Sequence, residues 1–340
     1  MAMSKFWKIC GVLLLITVIG AAGCVVPGTE EKSAGLVVDI RNAGDSFNAQ
    51  TVAGLNRSAE EGVVVPLLYV VNSDREAAEA FAELERKRPA VILSTGHSLT
   101  EYLAESARKN PDLHYATFDG VFHAGSGMPG NMMNVLFRSE EPSYLAGYLA
   151  GMMTKTNTVG FIGGMDIPAV DRFYYGYRAG VEAAAAERGQ YISVERAVVG
   201  NFYDREAAKL LADGMYDTSA DVILQAAGDA GLGVIAAAKE SGTYVIGADR
   251  DQRDLAPENM LTSVTKNLEE AVYQTITEYA AGRVHDGQEI WLGIANNATG
   301  LAPLHPAVPD AVAEKIAELS KQIAKGRIDP PATAEEYAAK

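Results

Sequence analysis

Short apolar, β-rich runs alternate with longer helical patterns along almost the whole chain, and that alternation limits the folds open to it. The first run is Ala34-Gly-Leu-Val-Val-Asp39; others recur near 63–71, 90–94, 113–118, 132–137, 158–162, 191–199, 221–225, 243–248, 260–264 and 289–294. Helical patterns stand between most of them, for example at 74–87, 98–109, 143–153, 171–188, 205–215, 231–241 and 268–283. Several runs are apolar throughout, as expected of parallel strands covered on both faces. Repeated βα units predict a doubly wound α/β architecture. Eleven strands are too many for one such sheet in 340 residues, whereas two sheets of five or six strands fit. The length agrees, at roughly 100–200 residues per domain. Ligands of such sheets bind in the crevice outside the strand carboxyl ends, and two lobes facing across it form a clamp.

The amino terminus sets the compartment. Residues 1–24 hold Lys5 and Lys8 and no acidic residue, then an apolar run from Ile9 to Ile19 broken only by Gly11 and Thr17, then Ala21-Ala22-Gly23-Cys24. A charged start, an apolar core and small residues read as a secretory signal. The apolar run is short of the roughly 20 residues a spanning helix needs. The terminal cysteine makes the segment resemble the bacterial lipobox, although Ala21 stands where leucine is commoner. That resemblance implies a signal peptide over 1–23, acylation of Cys24 as the new terminus, and a lipidated polar tether over 24–33. Cleavage removes two lysines and takes the net charge from −15 to −17. Cys10 and Cys24 are the only cysteines, too few for a disulfide framework. A chain with 29 Lys and Arg against 44 Asp and Glu repels phosphate backbones, so no nucleic-acid polymer is expected as a partner.

Polar residues that follow apolar strands carry the candidate chemistry. Asp39 leads into Arg41-Asn42-Ala43-Gly44-Asp45-Ser46-Phe47-Asn48. Here Phe47 is either a stacking plate with Asn48 or Asp45 reading polar edges, or a loop anchor with Asp45 or Ser46 capping the next helix. Asp119 follows Tyr115-Ala-Thr-Phe118, and Asp249 follows Tyr244-Val-Ile-Gly-Ala248. Each points into the crevice or caps a turn. The five histidines show no ligand spacing such as HxxxH, so no metal is expected. Gly228-Asp-Ala-Gly231-Leu-Gly233 has the order GxxGxG rather than the dinucleotide GxGxxG, and Asp229 would repel a phosphate. Tight turn-to-helix packing is the plainer use of these glycines; close approach of a neutral ligand is the other. Lys266 either pairs with a ligand group or lies at the surface. Ser94-Thr-Gly-His97 lacks the GxSxG elbow, and no nucleophile triad is readable.

Taken together, several stretches resemble the basic membrane protein (BMP, or PnrA-like) family of substrate-binding lipoproteins of ABC importers. The strongest is Val159-Gly-Phe-Ile-Gly-Gly-Met-Asp-Ile-Pro168 with Arg172-Phe173, Gly176-Tyr177 and Ala179-Gly180. Ser143-Tyr-Leu-Ala-Gly147, Ala226-Ala-Gly-Asp-Ala-Gly-Leu-Gly233, Ile246-Gly-Ala-Asp-Arg-Asp-Gln252 and Leu261-Thr-Ser-Val-Thr-Lys266 support it. The resemblance spans about residues 34–304. It implies a type I periplasmic-binding fold, in which two lobes bind a purine nucleoside. By the same resemblance Phe47 and Phe202 stack on the base, Asp119 reads its edge with Asn48 beside it, and Asp249 and Lys266 hold the ribose. Asp45 and Gly228 join them as ligand-binding residues. The first loop departs from the family pattern: it is one residue shorter, and Arg41 and Asn42 replace two glycines. Riboflavin is the alternative stacking ligand.

The expected organisation is lobe I over 34–138 and 266–285, lobe II over 139–265 and 286–325, and a loosely packed tail over 326–340. Crossovers are expected near 137–142, 264–267 and 284–288. The expected protein is an extracytoplasmic, membrane-anchored monomer that hands a small molecule to an ABC permease, without a cofactor or a chemical step. A nucleoside hydrolase would want a calcium-binding Asp cluster, a dehydrogenase a GxGxxG turn after the first strand, and a regulator an amino-terminal helix-turn-helix. None is read here. A ligand sensor subunit is not distinguished from an importer subunit.

Overall fold

The computed structural model describes residues 31–39, 46–123 and 125–339. The expected signal peptide, Cys24, Arg41, Asn42 and Asp45 lie outside the described residues. The strands, in chain order, are β1 (Ser33–Asp39), β2 (Val65–Val71), β3 (Val91–Thr95), β4 (Tyr115–Phe118), β5 (Met132–Phe137), β6 (Thr158–Gly163), β7 (Ser193–Val198), β8 (Val222–Ala226), β9 (Tyr244–Asp249), β10 (Met260–Lys266), β11 (Glu289–Leu292) and β12 (Thr299–Leu301). The helices are α1 (Ser46–Glu60), α2 (Asp74–Lys87), α3 (Gly96–Lys109), α4 (Glu140–Met153), α5 (Pro168–Arg188), α6 (Arg205–Thr218), α7 (Gly231–Ser241), α8 (Leu268–Ala280), α9 (Asp310–Ala324) and α10 (Ala334–Ala338).

These elements form two six-stranded sheets, ordered β11-β5-β4-β3-β1-β2 and β12-β10-β9-β8-β6-β7. The two halves repeat one topology. All pairings are parallel except the short β10–β12 ladder. The apolar runs explain why both faces are covered: Val91–Thr95 and Val222–Ala226 are buried along their whole length. In both sheets the strand order reverses beside the first strand, between β1 and β3 and between β6 and β8, which is where such folds bind ligands.

The chain passes from the first sheet to the second after β5, returns after β10, and passes again between β11 and β12. The third passage differs from the sequence expectation. Residues 286–325 were assigned to the second lobe, but β11 pairs in parallel with β5, Glu289 opposite Asn134 and Leu292 opposite Phe137. A four-residue edge strand carries no pattern that says which sheet it joins. Ser33 also belongs to β1 rather than to the tether.

Helix ends follow local chemistry. The Asp204 side chain accepts from Ala207 N at 2.9 Å and caps α6. Helix α5 starts with proline and stops at Gly189, whose φ of 62° suits a residue without Cβ. Helices α4 and α5 pack at backbone contact. A Cβ on Gly147 would lie 1.9 Å from Tyr177 O, and one on Gly180 would lie 2.0 Å from Tyr144 O. The tail is not loosely packed. Ala332 is buried, the Tyr337 ring lies 5.9 Å from that of Tyr175, and the Arg178 guanidinium sits 4.3 Å over the Tyr337 ring. Tyr337 supplies the aromatic contact that a polar-looking tail does not advertise.

Candidate functional site

The residues that line the space between the sheets stand at or beyond the carboxyl ends of strands. From the first sheet, Phe47 and Asn48 come from the start of α1, Thr95 to Ser98 from the β3–α3 junction, and Asp119 from the turn after β4. From the second, Ile167, Ala169, Val170 and Phe173 come from the start of α5, Phe202 from the β7–α6 loop, Gly228 from the turn after β8, and Asp249 and Lys266 from the ends of β9 and β10. Together they line a cleft of about 670 Å³, counting space open to solvent.

An ion pair joins the two sheets at the base of this cleft. Lys266 Nζ lies 2.6 Å from Asp119 Oδ2 and 3.9 Å from Asp249 Oδ1, with the lysine side chain 4% exposed. Three rings surround the same ammonium, Phe173 at 4.9 Å, Phe47 at 5.2 Å and Phe137 at 5.7 Å to the centroids. Cations within about 6 Å of a ring centroid are attracted to its face. The reading of Lys266 as a surface lysine is therefore wrong, because apolar rings and two carboxylates replace its water.

Asp119 is held from the other side. Its Oδ1 accepts from Phe137 N at 3.0 Å, and its backbone has a φ of 49°. Asn134 clamps the next residue, accepting from Gly120 N and donating to Gly120 O, each at 3.1 Å. Asp249 also has positive φ, 68°. Both aspartates thus occupy left-handed positions, which this residue type tolerates better than most. Gln50 bridges the lobes beside them, donating to Asp249 O at 3.0 Å and accepting from Leu268 N at 3.2 Å. Thr95 Oγ1 donates to Asn48 Oδ1 at 2.6 Å, fixing the amide at the cleft wall.

The aromatic residues lie on opposing lobes. Phe47 packs against the core of the first lobe and Phe202 against that of the second. The Phe202 ring lies over Gly164, where an added Cβ would come 2.2 Å from Cδ1. Across the cleft it meets His97, with ring centroids 5.5 Å apart and planes at 54°.

The glycine-rich turn divides by role. Gly228, at φ 58°, lines the cleft. Gly231 and Gly233 serve packing, since a Cβ on either would come 2.0 Å from Gln225 Oε1 or Arg205 O. Asp229 is engaged by Arg205 in a two-pronged pair at 2.6 and 2.7 Å. Phe47, Asn48, Asp119, Phe202, Gly228, Asp249 and Lys266 are thus brought together around one cleft. Reading strand ends alone missed Thr95, His97, Ile167, Val170 and Phe173. The signal for the last three was the apolar start of α5, and for His97 the Ser-Thr-Gly-His turn.

Behind the cleft, the lobes meet at Trp291 of β11. Arg172 of α5 stacks on its ring at 4.3 Å and also pairs with Glu140 at 3.0 Å. Burial pushes the Glu140 carboxyl up from its ordinary value, and the Arg172 guanidinium opposes that rise. Glu141 Oε2 accepts from Ile294 N at 2.7 Å and ties α4 to the third crossover.

Two α/β lobes around a lined cleft, joined by three crossovers, define a two-lobed small-molecule binding protein. A family model described as ABC transporter substrate-binding protein, PnrA-like, matches residues 31–333, and the chain belongs to that family. Its relatives include Basic membrane protein A of Borreliella burgdorferi, 30% identical over 97% of each chain. Basic membrane protein B of the same species is 36% identical over 75% of this chain and 73% of its own. Among solved structures, an ABC transporter solute-binding protein from Aeropyrum pernix K1 superposes with a TM-score of 0.79 at 23% identity, covering 90% of this chain and 96% of that one. A transcriptional activator of the comK gene from Bacillus halodurans gives 0.74 at 23% identity, covering 88% and 100%. Among the described residues no helix is long and apolar enough to cross a membrane.

Proposed function

We propose that this protein captures a purine nucleoside between its lobes and delivers it to an ABC permease, as an extracytoplasmic lipoprotein anchored through Cys24. The observation that carries the reading is the convergence of Phe47, Phe202, Asp119, Asp249 and Lys266 on one cleft. A planar base lies between aromatic walls from opposite lobes. Asp119 and Asn48 read its edge, and Asp249 and Lys266 hold the ribose hydroxyls. Each stacking ring is worth about 1–3 kcal/mol per base in comparable sites. Closure excludes water and strengthens the polar contacts. Lys266 already faces two carboxylates, so the three groups together carry a net negative charge, which suits a neutral nucleoside better than a nucleotide.

A thermal-shift panel on residues 25–340, unfolded and refolded to strip carried ligand, tests this. Adenosine, guanosine or inosine at 100 times its dissociation constant should stabilise by about 2.7 kcal/mol, a shift of several degrees. No shift with any purine nucleoside refutes the ligand assignment. The anchor is tested separately: Cys24→Ser should move the protein from the membrane to the soluble fraction, and continued retention would indicate a spanning segment.

A further inference from the structure

The turn Ser94-Thr-Gly-His97, which lacks the GxSxG elbow, puts Thr95, Gly96 and His97 on the cleft wall. Ser94 and Thr95 are buried at the end of β3, and Gly96 turns the chain with a φ of 68°. That turn starts α3 at once and sets the His97 side chain in its first turn, against Phe202 of the other lobe. Thr95, bonded to Asn48, fixes the strand end that carries it.

The 54° angle between the two rings decides what His97 can do. Two rings so inclined cannot both lie flat on one planar ligand. A base stacked flat on Phe202 therefore meets the imidazole at an incline, with the ring perimeter rather than its face turned toward it. The edge of a neutral imidazole carries one N–H donor and one nitrogen acceptor. A hydrogen-bonding edge in that position discriminates between bases, whereas a hydrocarbon edge only fills space. Sites built to hydrogen-bond a ligand group reject analogues lacking it far more strongly than apolar walls reject a change in size.

We infer that His97 is a specificity-determining residue of the cleft, selecting among ring ligands through a hydrogen bond from its imidazole edge to the polar edge of a base stacked on Phe202. This rests on the nucleoside reading above and assigns one residue more to it. His97 also borders a second, solvent-open hollow with Ser98 and Glu101.

The experiment is calorimetric titration of wild type, His97→Phe, His97→Ala and Phe47→Ala with adenosine, inosine, guanosine and riboflavin. Circular dichroism melts confirm that each variant is folded. His97→Phe keeps a ring and should bind the preferred ligand within about tenfold of wild type, while the ratio between 6-amino and 6-oxo purines shrinks at least fivefold. His97→Ala should lose both affinity and preference. A purely structural role would weaken every ligand alike and leave the ratio standing. Wild-type ratios retained in both His97 variants, with Phe47→Ala still impaired, overturn this inference and leave the nucleoside reading intact. Wild type binding none of the four ligands sinks both.

Discussion

Lys266 Nζ and Asp119 Oδ2, 2.6 Å apart and both buried, join the end of β10 in one sheet to the turn after β4 in the other. Lys266 is also the residue at which the chain leaves the second sheet for α8. The contact that spans the cleft therefore sits on a crossover. Removing one partner strands a charge. Lys266→Met should destabilise by about 3–5 kcal/mol, because Asp119 loses its cation in a dry site. The double variant Asp119→Asn/Lys266→Met should recover much of that loss. Denaturant unfolding of both single variants and the double variant checks it; a double loss equal to the sum of the two single losses would mean the pair is not coupled.

Phe47→Ala and Phe202→Ala should each weaken purine nucleoside binding at least tenfold, given stacking worth about 1–3 kcal/mol. Neither residue is central to its lobe's core, so both variants should stay folded. Calorimetry decides, and unchanged affinity would remove that ring from the binding wall.

Asp249→Ala should impair nucleosides much more than free bases, because the role proposed for its carboxylate is to hold the ribose. Titration with adenosine and adenine in parallel measures the split. Equal losses would assign Asp249 to holding Lys266 rather than the sugar.

Glu140 offers a pH test at the hinge. Burial raises its carboxyl above the ordinary 4.5, against the pull of Arg172. Well below that value both folded and unfolded chains carry the proton, and the buried group costs nothing in charge. As the pH rises past it the unfolded chain ionises first, so stability falls until the raised folded value is passed. The melting temperature of Glu140→Gln should therefore gain on that of wild type as the pH rises above the ordinary carboxyl value of 4.5. A pH-independent difference would contradict the shift.

Gly180→Ala tests the α4–α5 contact. Its Cβ would sit 2.0 Å from Tyr144 O, a backbone atom that cannot turn aside. Overpacking of this kind costs about 1–3 kcal/mol or more. A melting temperature equal to wild type would show that the helices separate freely.

Much of this is legible in the sequence. The apolar runs marked the strands, and polar residues just past them marked Asp119, Asp249 and Lys266, because parallel sheets expose their strand ends to ligand. The resemblance placed Phe47 and Phe202. What stayed hidden depended on distance across the chain. The sheet joined by β11 is set by pairing with β5, about 150 residues earlier, and not by its own four residues. His97 looked like half of a missing triad, because a sequence does not show that Phe202 lies opposite it. Val170 and Phe173 lie on the buried face of α5, and that this face begins inside the cleft is a property of the fold.

The most direct measurement is calorimetric titration of the stripped protein with adenosine, guanosine and inosine, beside adenine, ribose and riboflavin. The account predicts one site per chain for a purine nucleoside, with free base and ribose each binding far more weakly. Binding of riboflavin with no heat from any purine nucleoside would contradict it.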